Sequence, residues 1–157
     1  MGTFGFNNRS LVVFVLVALS FRQYSQVSGL LLSKVRVTLI NQLESEQSLT
    51  LHCRSKDDDL GRHVIPFMHA YEWKFYVNFW GTTLFWCNFW WRDADGTLID
   101  GSFKIYEYER DEDICFNMCV WGIHENGLLL YHKFVDKWEK LYRWPMPEKR
   151  RRRKRIP

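Results

Sequence analysis

The feature that most constrains the fold of this 157-residue chain is a repeated alternation of apolar and polar side chains. It runs through residues 35–40, 49–54 and 71–78. Alternate residues of a strand point to opposite faces, so this period of two predicts half-buried strands. No segment has a convincing helical period. Further strands are predicted at 82–91, 103–108, 115–123, 128–131 and 138–144, with turn signals such as Asn126-Gly127 between them.

Many short strands separated by turns are typical of a sandwich or a barrel. We therefore predict an all-β fold, a single-domain antiparallel β-sandwich stabilised by two disulfides. Residues 30–147 form this domain in our interpretation, and a domain of that size buries about two-thirds of its unfolded surface. Two segments lie outside the predicted domain, residues 1–29 and residues 148–157.

The first 29 residues have the pattern of a secretory signal peptide. Arg9 precedes a nine-residue apolar run at 11–19, and small residues lead to a cleavage site after Gly29. The apolar run is about half of the roughly 20 residues needed to span a bilayer, which argues against a membrane anchor. We therefore expect a secreted, extracellular protein with no transmembrane segment after the signal is removed.

Charge is divided unevenly between the domain and the C-terminus. Residues 30–147 contain 13 Lys and Arg against 17 Asp and Glu, whereas residues 149–155 are seven consecutive basic residues. Like charges in a row repel, so a disordered tail is predicted at 148–157. This tail either binds anionic wall polysaccharides or lipid head groups by electrostatics, or it is a solvated terminus without a partner. The basic run also resembles a nuclear localisation signal, but a secreted protein does not reach the nucleus. A nucleic-acid partner is therefore not expected.

Four cysteines, at positions 53, 87, 115 and 119, lie in the predicted domain. An even number in a small secreted domain predicts two disulfides. If 115–119 is extended, Cys115 and Cys119 stand about 13 Å apart, beyond the roughly 7 Å that a disulfide tolerates. Each should then pair with Cys53 or Cys87. We favour Cys53–Cys119 with Cys87–Cys115, and the other combination stays open.

The chain has no recognisable catalytic or metal-binding motif. It lacks a glycine-rich phosphate loop, a His-Glu-x-x-His motif and a Gly-x-Ser-x-Gly motif, so we expect no enzyme activity and no cofactor. An EF-hand loop that begins at Asp57 would need Glu at its twelfth position, which is Met68. The cluster Asp57, Asp58, Asp59 and Gly61 is therefore interpreted as a turn and not as a calcium site.

The strand at 82–91 has aromatic residues on both faces. If Cys87 is bridged inside the domain, then Phe85, Phe89 and Trp91 face the core with it. Trp86 and Trp90 point outward, beside Tyr76 if the two strands pair. Either they are covered by the C-terminal segment or they form a recognition surface. The residues expected to provide that cover are Phe134, Trp138, Leu141 and Tyr142.

Several segments together resemble the plant self-incompatibility S-protein family. They are Leu51-His52-Cys53-Arg54-Ser55-Lys56-Asp57-Asp58-Asp59-Leu60-Gly61, Tyr71-Glu72-Trp73-Lys74-Phe75, Gly81-Thr82-Thr83-Leu84-Phe85-Trp86-Cys87-Asn88-Phe89, Arg110-Asp111 before Cys115, and Cys119-Val120-Trp121-Gly122-Ile123. The resemblance covers residues 35 to 144 with all four cysteines in register. It implies a secreted β-sandwich with two disulfides and no enzyme activity. The founding members, from poppy, are pistil ligands recognised by a pollen membrane receptor.

These observations lead to one main functional hypothesis and two alternatives. The main hypothesis is a monomeric extracellular signalling ligand recognised by a cell-surface receptor, as in the pollen-pistil interaction. Charged loops on a rigid scaffold suit recognition, and the candidates are Asp93, Asp95, Glu112 and Asp113. The first alternative is a carbohydrate- or wall-binding module that stacks sugars on Trp86, Trp90 and Tyr76. The second is a membrane-active defence protein that acts through the basic tail.

Overall fold

A computed structural model describes residues 33–44 and 46–145 of the chain. The predicted signal peptide at 1–29 and the predicted tail at 148–157 lie outside the described residues. Within the described residues, nine strands and one helix follow in chain order. They are β1 Lys34–Asn41, β2 Leu49–Arg54, β3 Asp59–Ile65, β4 Ala70–Tyr76, β5 Leu84–Arg92, β6 Leu98–Glu107, α1 Tyr108–Cys115, β7 Met118–His124, β8 Gly127–His132 and β9 Lys137–Tyr142.

The strands form two sheets that pack face to face, which confirms the predicted β-sandwich. One sheet has the order β4-β1-β7-β8-β9 and the other the order β3-β2-β5-β6. All neighbouring pairs are antiparallel except β1 and β7, which run parallel. A parallel pair needs a crossover connection, so this pair shows that the chain changes sheets between β1 and β7.

The core is built from the inward-facing residues that the alternation predicts. In β5 the residues Phe85, Cys87, Phe89 and Trp91 are buried, as predicted for its core-facing side. Aromatic contacts join the sheets, since Trp73 of β4 lies 5.7 Å from Phe85 between ring centroids. Such pairs are worth about 0.5–1.5 kcal/mol beyond the area they bury.

The first disulfide joins Cys53 of β2 to Cys87 of β5 within one sheet. The two residues are direct partners in the antiparallel register, with their Cα atoms 4.0 Å apart. Both side chains therefore point to the same face, toward the core, where both are fully buried. The predicted pairing of Cys53 with Cys119 is wrong, because the Cys53 sulfur is already bonded to Cys87.

The second disulfide joins Cys115 to Cys119, which corrects the predicted pairing of Cys87 with Cys115. The prediction assumed an extended chain at 115–119. Instead Cys115 is the last residue of α1, and Phe116 turns the chain back with a φ of 56°. This turn brings the two Cα atoms to 4.8 Å, well within the range for a disulfide.

The helix α1 was not predicted from the sequence. It has only eight residues, and of these only Asp111 and Cys115 are buried. Two buried positions at an i, i+4 spacing leave a helical period too short to stand out from the surrounding strands. No helix in the described part of the chain has the length and apolar character needed to cross a membrane.

The C-terminal segment does not cover the outward face of β5, which corrects a second expectation. Phe134 and Trp138 are exposed, and β9 lies in the opposite sheet. Tyr142 packs against Phe103, with a ring-centroid distance of 5.0 Å.

Tyr76 also differs from expectation, because β4 pairs with β1 and not with β5. The outward Trp86 and Trp90 are nevertheless only half exposed.

The disulfide arrangement predicts unequal contributions to stability. Cys53–Cys87 closes a loop with a sequence separation of 34, and Cys115–Cys119 one with a separation of 4. Loop-closure entropy gives about 4 kcal/mol for the longer loop and about 2 kcal/mol for the shorter one. Denaturant unfolding of the two double Cys→Ser variants measures both values. Non-reducing peptide mapping checks the pairing, and a fragment that links residue 53 to residue 119 would contradict it.

Candidate recognition site at one end of the sandwich

Three connecting segments meet at one end of the sandwich, which we call the loop end. They are the β2–β3 turn (residues 55–58), the β4–β5 loop (residues 77–83) and α1. The strand register brings them together. Arg54, just before the turn, pairs with Trp86, and Leu84, just after the loop, pairs with Glu107, which precedes α1. Residues far apart in sequence therefore share one surface.

The β2–β3 turn is held by Ser55. Its hydroxyl accepts hydrogen bonds from the backbone N–H groups of Asp57 and Asp58, at 3.2 and 2.9 Å. The same hydroxyl donates to the Asp58 carboxylate, at 3.2 Å. Side chains that bond nearby backbone amides fix the local conformation of a turn. The turn is thus shaped without the Asp57 carboxylate, which is exposed to solvent.

The other two residues of the predicted acidic turn, Asp59 and Gly61, lie in β3. The Asp59 carboxylate accepts a hydrogen bond from the Gly61 N–H at 2.9 Å and contacts His52. The hydrogen bond with His52, followed by that with Gly61, lowers the pKa of Asp59. Gly61 has a φ of 74°, a conformation that glycine adopts without a steric penalty.

The β4–β5 loop is held by Asn78. Its backbone N–H donates to the Thr83 hydroxyl at 2.8 Å, and its side-chain amide exchanges two hydrogen bonds with Thr82, each of 2.9 Å. Gly81 has a φ of 64°, and a Cβ added there would lie 2.7 Å from the Tyr108 ring of α1. The loop is therefore both internally bonded and packed closely on the helix.

A buried ion pair fixes α1. The Asp111 carboxylate is fully buried and accepts bonds of 2.7 Å from both Nε and a terminal nitrogen of Arg110. It also accepts a 2.8 Å bond from the backbone N–H of Glu107, the N-cap residue. Burial alone would lower the pKa of the Arg110 guanidinium, but the hydrogen bonds and charge of Asp111 outweigh burial and raise it.

The outer side of α1 is acidic. Glu109, Glu112 and Asp113 are exposed, and the last turn of the helix contains no basic residue. A hydrogen bond to Glu112 raises the pKa of the Tyr108 hydroxyl, so Glu112 is engaged within the helix. Two of the four predicted receptor-facing residues, Glu112 and Asp113, thus lie at the loop end.

The other two predicted residues, Asp93 and Asp95, lie at the opposite end of the sandwich. They belong to the β5–β6 turn, and β5 spans about 26 Å at 3.3 Å per residue. The Asp93 carboxylate accepts bonds from the N–H groups of Asp95 and Thr97, at 3.1 and 2.8 Å. The four predicted residues therefore do not form one compact site.

A cavity of about 490 Å³ opens between the β2–β3 turn and the β4–β5 loop. Its aromatic wall includes Tyr76, Trp80 and Trp86, and its polar wall includes Lys56 and Asp57. This volume lies within the range of roughly 300–1,000 Å³ that is typical of small-ligand sites. Sequence reasoning singled out Trp86 and Tyr76 but missed Trp80, whose neighbours in sequence show no strand pattern.

Trp90 lies outside this cavity, although the sequence grouped it with Trp86 and Tyr76. The Arg62 guanidinium of β3 lies over its ring, 4.9 Å from the centroid. A cation that stacks on an indole shields one face of the ring from solvent and ligands. Trp90 is therefore a structural partner of Arg62 and not part of the cavity wall.

Exposed apolar side chains are concentrated at the loop end. Trp80 is 80% exposed and Phe79 67% exposed, and their rings meet edge to face at 5.2 Å. The β8–β9 turn lies at the same end, because the Lys133 N–H donates to the Ile114 carbonyl of α1 at 3.3 Å. Tyr76, Phe116, Phe134 and Val135 add to this exposed set. Exposed apolar groups that cluster in this way mark interaction sites.

One group of potential metal ligands occurs in the described segments, formed by Asp111, Cys115 and Cys119. Their ligand atoms lie within 4.8 Å of one another and are buried. Both sulfurs, however, are joined in the second disulfide. A disulfide sulfur is not the thiolate that binds metals, so this group does not make a metal site.

The packing of Gly81 on Tyr108 leads to a prediction with a matched control. Gly81→Ala introduces both a strained φ and a close contact, whereas Gly96→Ala, at a φ of 74°, meets nothing within 4 Å. Both variants incur about 1–2 kcal/mol of backbone strain, and overpacking adds about 1–3 kcal/mol at Gly81 alone. Urea unfolding of both variants measures the difference. Equal losses would contradict the close contact.

The buried Asp111 leads to a second prediction. Asp111→Ala leaves the Arg110 guanidinium without its buried partner, so the free energy of unfolding should fall by about 3–5 kcal/mol. Asp113→Ala, two residues further along the same helix but exposed, should change it by no more than about 0.5 kcal/mol. Chemical unfolding compares the two. Similar values for both variants would show that the ion pair does not hold α1.

Comparison with known proteins finds relatives of this chain. Residues 36–144 match the family model described as plant self-incompatibility protein S1. S-protein homolog 5 of Arabidopsis thaliana is 43% identical over 94 residues, which cover 60% of this chain and 69% of that protein. S-protein homolog 29 of the same plant is 33% identical over 138 residues, covering 87% of this chain and 98% of that protein.

A solved structure is also similar to this chain, with 17% sequence identity and a TM-score of 0.49. The alignment covers 73% of this chain and 93% of the solved one, which is described as belonging to a widespread family of small, highly stable, secreted plant proteins. The matched family model and S-protein homolog 29 both extend over most of the domain described above. The chain therefore belongs to the plant self-incompatibility S1 family, as an S-protein homologue.

Proposed function

We propose that this protein is an extracellular signalling ligand and that a cell-surface receptor recognises its loop end. It acts by binding and not by catalysis. Family membership supports this role, because the S-protein homologues are small secreted plant proteins. The predicted signal peptide and the two disulfides agree with export, since disulfides persist in oxidising compartments.

The observation that carries the proposal is the exposure of large aromatic side chains on pre-organised loops. Phe79 and Trp80 project from a loop that Asn78 holds with hydrogen bonds. Aromatic residues dominate the energetics of protein interfaces when they become buried there. Because the loop is already ordered, binding requires little further loss of conformational entropy.

The charge of the loop end indicates a receptor surface of opposite sign. Glu109 and Asp113 lie four residues apart on α1 and are both exposed, so they share one helix face. Carboxylates on an exposed face steer a basic partner and increase its association rate. We therefore expect a receptor with Lys or Arg residues opposite α1, around a pocket that accepts Trp80.

Charge reversal with a matched control tests this proposal. Glu109→Lys with Asp113→Lys changes the loop end, and Asp95→Lys with Asp100→Lys makes the same change in net charge at the opposite end. All four residues are exposed. The loop-end variant should lose binding to responding cells, whereas the control should keep it. Binding is measured from the fluorescence of labelled, oxidised protein retained on pollen and on other plant cells, at several salt concentrations.

Thermal unfolding and disulfide mapping of both variants show whether each one is folded. Glu112 is left unchanged because it accepts the Tyr108 hydrogen bond. Equal binding by the two variants would exclude recognition through α1. Loss of binding only in the Asp95 and Asp100 variant would place recognition at the opposite end of the sandwich.

A further inference from the structure

The cavity at the loop end has the composition of a site for a small polar ligand. It is lined by the β2–β3 turn, the end of β4, the β4–β5 loop and the start of β5, and none of its lining residues belongs to α1. The acidic face of α1 therefore does not account for it. Its aromatic wall and its free polar groups each carry information about the ligand.

Aromatic residues from β4, from β5 and from the loop between them line this cavity, and three of them leave ring surface open. Tyr76 ends β4, Trp80 lies in the β4–β5 loop, and Trp86 points outward from β5. Tyr76 and Trp80 are exposed and Trp86 is half-buried, so ring surface remains open to a ligand. Tyrosine and tryptophan combine a broad apolar face with a polar tip, which suits the C–H faces and the hydroxyls of a sugar ring.

The polar wall offers both donors and acceptors. Among the residues that the structure describes, the Lys56 ammonium and the Asp57 carboxylate have no side-chain partner, although both line the cavity. The Thr82 and Thr83 hydroxyls accept bonds within the loop and still have a proton to donate. A ligand that donates and accepts several hydrogen bonds fits this set better than an ion of one sign.

The walls are also rigid before any ligand binds. The Ser55 hydroxyl fixes one wall by accepting bonds from the backbone N–H groups of Asp57 and Asp58, and Asn78 fixes the other through hydrogen bonds with Thr82 and Thr83. The Tyr108 ring of α1 packs against Gly81 and so supports the β4–β5 loop. A pre-formed cavity with ordered walls avoids the entropy loss of closing loops around a weakly bound ligand.

We propose that this cavity binds a neutral oligosaccharide, with Tyr76, Trp80 and Trp86 stacking on sugar rings and Lys56 and Asp57 bonding to hydroxyls. The site differs from the surface predicted from sequence, because Trp80 takes the place of Trp90. The proposal shares Trp80 with the receptor contact proposed above, but charge reversal on α1 and glycan titration test the two separately. Either one can fail while the other holds.

Isothermal titration of the oxidised protein with defined glycans tests the proposal and identifies the source of the sugar. One arm uses cello-, xylo- and manno-oligosaccharides, which represent wall polysaccharides. The other arm uses branched glycans released from plant glycoproteins. Saturable binding in either arm, unaffected by high salt, supports a neutral-sugar site. Lack of saturable binding to every glycan would overturn it.

Aromatic variants locate the site. Trp80→Ala and Trp86→Ala should each weaken binding by about tenfold or more, since each removes a stacking platform. Trp138→Ala, an exposed tryptophan on β9 outside the cavity, should leave the affinity unchanged. Because Trp80 is exposed, its variant remains informative even if Trp86→Ala misfolds. An equal loss in Trp138→Ala would contradict binding in this cavity.

A conservative change separates a sugar from a cationic ligand. Asp57→Asn keeps a hydrogen-bonding side chain but removes the charge, so affinity for a neutral glycan should fall by less than about tenfold. Spermidine is the comparison probe for a cation. Saturable spermidine binding that Asp57→Asn and high salt both abolish, with no glycan binding, would replace the proposed sugar site with a cation site.

Discussion

The buried carboxylate of Asp111 is the interaction on which the loop end depends. A buried charge is tolerated only when its bonding capacity is met, and here Arg110 and the Glu107 N–H meet it. Arg110 extends this contact to the Tyr142 hydroxyl of β9 at 2.6 Å. One ion pair thus joins the end of β6, the start of α1 and the last strand.

This anchoring explains how a small domain presents ordered loops. The helix α1, once fixed at Asp111, places Tyr108 against Gly81 and so supports the β4–β5 loop. Its last residue, Cys115, is then bridged to Cys119 at the start of β7. The β5–β6 turn at the opposite end is held separately, by the Asp93 carboxylate, by backbone hydrogen bonds of Asp93 with Gly96 and Thr97, and by a 2.8 Å bond from Arg92 to the Gly96 carbonyl. The loop end differs from that turn in that its ordered segments carry exposed aromatic side chains, Phe79 and Trp80.

The sequence predicts the sandwich well because alternation reports burial directly. In β5 the residues Phe85, Phe89 and Trp91 are buried as their spacing indicates, since a strand of nine residues offers enough repeats. The helix escaped prediction because eight residues, half of them acidic, show too few buried positions to reveal a period. The wrong disulfide pairing followed from that omission. An extended segment at 115–119 would keep the sulfurs of Cys115 and Cys119 apart, whereas the helix end and the turn at Phe116 bring them together.

The candidate site was less predictable than the fold. Trp86 and Tyr76 were selected correctly as outward aromatic residues, yet their neighbour Trp80 lies in a loop where period-two patterns carry no information. Likewise, the separation of Asp95 from Asp113 follows from strand register and not from local sequence. Long-range pairing decides which residues share a surface, and a single sequence records such pairing only weakly.

Hydroxyl-radical footprinting of the oxidised protein, free and bound to membranes of responding cells, tests most directly whether the loop end is the part that is recognised. We predict that Tyr76, Phe79 and Trp80 lose reactivity on binding. Met68 and Leu98, exposed at the opposite end, should keep theirs. Protection of Met68 and Leu98, with Phe79 and Trp80 still reactive, would contradict the account.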